Sequence, residues 1–90
     1  MFFAVDLTKV GKIQEAKAEA AKALELSPND PLMLYNAACF YARLEDKQLA
    51  LNTLKGAVLS GYENYEWIKR DTDLESIRTE PEYIELMKGK

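Results

Sequence analysis

Residues 31–61 read PLMLYNAACFYARLEDKQLALNTLKGAVLSG, and their punctuation sets the architecture. Asp30 is a good helix cap, and Pro31 stands at the first helical position, where its missing N–H costs nothing. A helix therefore begins at 31 and runs to about Leu44, with Leu34, Ala37, Ala38 and Tyr41 on one apolar face. Asp46 or Lys47 opens a second helix carrying Leu51, Leu54, Ala57 and Val58, which Gly61 closes. Two helices joined by so short a connection must lie antiparallel.

Outward from this hairpin the same signals recur. Upstream, a helix from about Ile13 to Leu26 places Ile13, Ala16, Ala20, Ala23 and Leu24 on one face, and Ser27-Pro28-Asn29-Asp30-Pro31 breaks it. A further helix over 2–10 has no capping residue at its start, as expected if the chain were cut from a longer protein, and Gly11 ends it. Downstream, a short helix near 65–70 precedes a turn around Asp71 to Asp73. Two more helical pieces follow, with Thr79-Glu80-Pro81-Glu82 as a capping box for the last. No stretch alternates long enough to make a convincing strand. The class is all-α.

A shift of 34 residues lays Ala16 on Ala50, Ala20 on Leu54, Ala23 on Ala57, Leu24 on Val58, Ala4 on Ala38 and Leu7 on Tyr41. Such self-similarity marks a stacked array, in which small side chains let paired helices approach and larger ones fill the gaps. At these positions the chain resembles the tetratricopeptide repeat family. Gly11, Ile13, Ala16, Ala23 and Pro28 match the second half of one repeat, and Leu34, Ala37, Ala38, Tyr41, Ala50, Leu54 and Ala57 match the next. Glu45 stands where the family often has glycine and Tyr62 where it has proline.

The resemblance implies antiparallel helix-turn-helix repeats stacked as a right-handed α-solenoid, in one domain spanning 1–90: a truncated repeat over 1–30, a second over 31–61 and a C-terminal cap over 62–90. The tail resembles the closing segment of some bacterial repeat arrays, through Asn36-Ala37-Ala38-Cys39 upstream and Trp67, Asp71, Asp73, Leu74 and Ile77 downstream. It is expected to lay Trp67, Leu74, Ile77 and Ile84 over the open edge of the last hairpin and to turn Glu66, Glu75, Arg78 and Glu85 outward.

Composition narrows the function. A chain of 90 residues buries only about 60% of its unfolded surface, so the core is thin. With 48% hydrophobic and 30% charged residues it is globular, and its apolar runs are too short for a bilayer span. The net charge of −3 supplies no field for phosphate backbones, so neither nucleic acid nor membrane is an expected partner. One cysteine excludes an internal disulfide and fits a reducing, cytoplasmic compartment, and the amino end lacks the features of a secretion signal. The absence of histidine removes the commonest general base and zinc ligand, which argues against an enzyme.

The family binds extended peptides or partner helices in a groove lined by the first helix of each repeat. Carried over, that surface is Val5, Thr8 and Lys9, then Leu32, Tyr35, Asn36, Cys39 and Arg43, with Lys69 and Arg70 by extension into the tail. Lys9, Arg43, Lys69 and Arg70 would favour an acidic or carboxylate-ended segment through charge-assisted hydrogen bonds. Asn36 matches a carboxylate-binding asparagine of chaperone-binding members, while Val5 and Glu66 replace other clamp residues and argue against a full clamp.

Asp71, Asp73, Glu75 and Glu82 have spacings like those of a calcium-binding loop, but Ser76 replaces the obligatory glycine, so helix capping is the expected role and no metal is implied. Cys39, with no histidine to activate it, is expected to be packed rather than catalytic. Tyr62, Tyr65 and Trp67 are expected to form the core of the cap. The expected function is a protein-interaction module without cofactor, the C-terminal part of a longer protein. The rivals are a purely structural end cap of the array and a regulatory appendage of an upstream signalling enzyme. Weak self-association is expected through an edge carrying Phe2, Phe3 and Leu7.

Overall fold

The computed structural model describes the backbone of residues 10–90 and the side chains of 14–90. Its order is α1 (Val10–Leu26), α2 (Pro31–Arg43), α3 (Lys47–Leu59), α4 (Tyr65–Arg70), a 3₁₀ helix (Thr72–Ile77) and α5 (Pro81–Met87). No strand occurs among the described residues. The helix expected over 2–10 lies almost wholly outside them. Gly11 does not end a helix, because it lies within α1.

Asp30 caps α2, its Oδ1 accepting from the amides of Leu32 and Met33 at 3.1 and 3.2 Å. Helices α2 and α3 then stop in the same way. The amide of Asp46 reaches back to Tyr41 O at 3.0 Å, and that of Tyr62 to Ala57 O at 2.9 Å. This closure needs a left-handed residue after the helix, supplied by Gly61 (φ 115°) behind α3 and by Glu45 (φ 61°) behind α2. A side chain in that region is strained by about 1–2 kcal/mol. Glu45→Gly is therefore expected to raise stability by about 0.5–1 kcal/mol, part of the relief being offset by glycine's greater unfolded entropy. A higher midpoint in urea unfolding checks this; an unchanged or lower midpoint means the turn carries no strain.

The core lies between α2 and its neighbours. The face drawn from the sequence is buried on α2 (Leu34, Ala37, Ala38, Tyr41) and on α3 (Leu51, Leu54, Ala57). Small residues sit where the helices meet: Ala50 and Ala57 are fully buried, and Ala16 and Ala20 are buried on α1. Ala23 and Leu24 are half-buried. Helix α2 is enclosed on more than that one face, since Tyr35, Cys39, Phe40 and Ala42 are buried as well. The tail makes the difference, for the 3₁₀ helix packs against α2 and α5 packs against α3.

Within the tail the inward residues are Ile68, Leu74, Ile77, Tyr83 and Met87. Leu74 and Ile77 agree with the expected lid. Trp67 and Ile84 do not, being 45% and 57% exposed. Asn64 caps α4 with its Oδ1 on the amide of Trp67, and that start turns Ile68 inward and Trp67, one position earlier, toward water. In α5, Tyr83 and Met87, four apart, share the buried face, and Ile84 falls beside it. Tyr62 and Tyr65 are half-buried beside the core. Glu66, Glu75 and Glu85 point outward, but Arg78 turns in, donating from one guanidinium nitrogen to Ile68 O at 3.0 Å and Asp71 O at 2.7 Å. The capping box expected at Thr79 is not formed: Glu80 is the cap of α5, and no side chain bonds there.

Candidate functional site

Helix α2 carries the residues expected to line a groove. Leu32, Tyr35, Asn36, Cys39 and Arg43 recur at helical spacing along one side of it. The structure divides them. Leu32 (59% exposed) and Asn36 are open to solvent at the first half of the helix. Tyr35 and Cys39, at 3% and 4%, are inside the fold, so neither side chain lines an open surface. The tail covers them.

Asp71 makes that cover. Standing between α4 and the 3₁₀ helix, it caps the latter by accepting from the amide of Asp73 at Oδ1, 2.9 Å. Its other oxygen, Oδ2, accepts from the Tyr35 hydroxyl at 2.5 Å and, weakly, from the Cys39 thiol at 3.5 Å. Arg78 donates to its backbone carbonyl at 2.7 Å. The carboxylate is buried yet surrounded by donors, the condition under which a buried acid is tolerated. Beside it the ring of Tyr62 stacks on Tyr35, with centroids 4.3 Å apart and planes 3° from parallel. Ser76 donates to Ala42 O at 2.8 Å, and Arg43 Nε stands 3.9 Å from Asp73 Oδ1.

These surroundings fix protonation. Burial first, then the negative charge of Asp71, pushes the Cys39 thiol from its ordinary value of 9.0 up to about 12. At neutral pH it keeps its proton and serves as a donor. It is not an activated nucleophile. Burial and the hydrogen bond to Asp71 also push the Tyr35 hydroxyl well above its usual value.

Both groups therefore bind protons more tightly folded than unfolded, so stability is intact below about pH 9 and declines as pH rises beyond it. The slope is about 1.4 kcal/mol per pH unit for each group that titrates only when unfolded. Between about pH 8 and pH 10.5 the loss assigned to Cys39 alone is on the order of 2 kcal/mol. Denaturant midpoints across that range measure it, and a Cys39→Ala chain should lose less. A flat profile to pH 10.5 contradicts the burial of both hydrogens.

Cys39 Sγ and one oxygen each of Asp71 and Asp73 lie within 4.8 Å of one another, the donor types a divalent ion takes. Both oxygens of Asp71 already accept hydrogens, so this arrangement is a hydrogen-bond hub. Of the four acids with calcium-like spacing, Asp71 caps the 3₁₀ helix, Asp73 and Glu75 lie on that helix and Glu82 lies on α5.

Of the remaining expected groove residues, Lys69 and Arg70 are among the described ones. Val5, Thr8 and Lys9, and the edge residues Phe2, Phe3 and Leu7, lie outside the described residues. Lys69 is exposed but donates to Lys90 O at 2.5 Å and faces Glu66 at 4.0 Å, and Arg70 is exposed. Of the expected cations that lie among the described residues, Arg43 and Lys69 already face carboxylates or a carbonyl of this chain, and Arg70 alone carries no such contact in view. Sequence reasoning missed Asp71 as the hub, because a single acid in a turn reads as a cap until α2 is placed against it.

The chain is similar to a chloroplastic protein of Arabidopsis thaliana. The two are 33% identical over 87 residues, covering 93% of this chain and 26% of the plant protein. The chain therefore spans about a quarter of the length of that relative. No family model matches the chain. No solved structure matches it. No helix among the described residues is long and apolar enough to cross a membrane.

Proposed function

We propose that this chain is a protein-interaction module of the tetratricopeptide type, a piece of a solenoid closed by its own C-terminal cap, with no catalytic site. The support is the antiparallel pairing of α2 with α3 through fully buried Ala50 and Ala57, the alanine contact of α1, and the 34-residue self-similarity that relates them. One observation carries the functional part: Leu32 and Asn36 are exposed on a helix that is otherwise buried along most of its length. An apolar side chain beside an amide, on a rigid element, is what a partner segment needs for anchorage and orientation.

The test is capture of partners by the full-length parent, comparing the native chain with a Leu32→Ala/Asn36→Ala double variant of equal thermal stability. Loss of a partner supports the module. Retention of every partner favours the second reading, a structural end cap. The Asp71 hub itself favours that reading, since it ties the tail firmly to α2. A reducing, cytoplasmic setting is part of the proposal; the similar plant protein is described as chloroplastic.

A further inference from the structure

Three groups along α2 offer something to an anion: the Tyr35 hydroxyl, the Cys39 thiol and the Arg43 guanidinium, each four residues from the next. Each already faces a carboxylate of the tail. Asp71 takes the hydrogens of Tyr35 and Cys39 at 2.5 and 3.5 Å, and Asp73 stands 3.9 Å from Arg43. Ser76, bonded to Ala42 O at 2.8 Å, fastens the same segment to the end of the helix.

We propose that the Asp71-Thr72-Asp73 turn acts as an acidic ligand in cis, filling the line of Tyr35, Cys39 and Arg43 on α2 so that an acidic partner segment is turned away there. This rests on the interaction-module reading and sets its selectivity. What stays open is the uncharged half at Leu32 and Asn36, which suits a segment presenting an apolar side chain and an amide-bonding group. The contact has two parts of unequal strength. Asp71 is buried with its hydrogen bonds around it, whereas Arg43 and Asp73 are 40% and 37% exposed at their side chains, so this outer pair can open to a competitor.

The experiment uses a fluorescein-labelled tetra-aspartate peptide with a free carboxyl terminus, titrated at low salt against the native chain, Asp73→Asn, and Asp73→Asn/Arg43→Ala. Weak binding by the native chain is expected, tightened about two- to five-fold in Asp73→Asn, which frees Arg43, and returned to the native level or below in the double variant. Asp73→Asn keeps the backbone amide that Asp71 accepts, and a matched thermal midpoint verifies that the tail is in place. Equal affinity for the native chain and Asp73→Asn overturns the proposal. A gain that survives Arg43→Ala, or no saturable binding by any of the three, also overturns it. The Leu32/Asn36 capture experiment reads a different surface, so failure of the cis ligand and failure of the module are told apart.

Discussion

Asp71→Ala is expected to cost on the order of 3–4 kcal/mol. The substitution leaves the Tyr35 hydroxyl and the Cys39 thiol as buried donors without an acceptor, and a buried group left unsatisfied costs about 1–3 kcal/mol. It also removes the cap of the 3₁₀ helix, a loss of about 0.5–2 kcal/mol. The thiol is the weaker donor, at 3.5 Å, so the hydroxyl and the cap dominate. Asp71→Asn keeps one oxygen but presents an NH₂ to a site built of donors, and should fall between the native chain and Asp71→Ala. Guanidinium unfolding measures the loss, and near-ultraviolet circular dichroism reports whether the Tyr35–Tyr62 stack goes with it. A cost below about 1 kcal/mol means that water replaces the carboxylate without penalty.

Phe40→Ala is expected to be as damaging or more so, at about 3–5 kcal/mol. Phe40 is fully buried and among the largest such side chains of the chain, with its ring 5.6 Å from that of Tyr41. Truncation removes the transfer energy of the ring and leaves a cavity in a helix held from several sides, where little collapse is possible. A domain of this size has about 5–13 kcal/mol of stability in all, so the variant is expected to be partly unfolded near body temperature. Phe40→Leu, which retains most of the volume, should lose much less. Equal midpoints for the alanine and leucine variants would show that the neighbours close the gap.

The hairpin was legible because its signals are local. Asp30, Pro31 and Gly61 set the ends of α2 and α3 to within a residue or so, and the face of Leu34, Ala37, Ala38 and Tyr41 is buried as its spacing requires. Phe40 was not on that face, since a helix covered by a later segment has no polar side from which to infer the apolar one. The tail was harder. Helices of six and seven residues complete fewer than two turns, so the periodicity cannot separate Ile68 from Trp67 or Tyr83 from Ile84. At α4 the Asn64 side chain fixes the start, whereas at α5 no side chain bonds at the Glu80 cap and only packing selects Tyr83 and Met87. As for the groove, helical spacing put Tyr35 and Cys39 on the same line as Leu32 and Asn36 but carried no word of a segment thirty-odd residues later that would close over half of it.

Trp67 is the only tryptophan, and it stands half in water on α4. Its emission colour therefore follows the solvation of the tail rather than of the helical hairpin. A red shift that precedes the loss of helical ellipticity during denaturation would give the order in which the chain comes apart, with no dye attached.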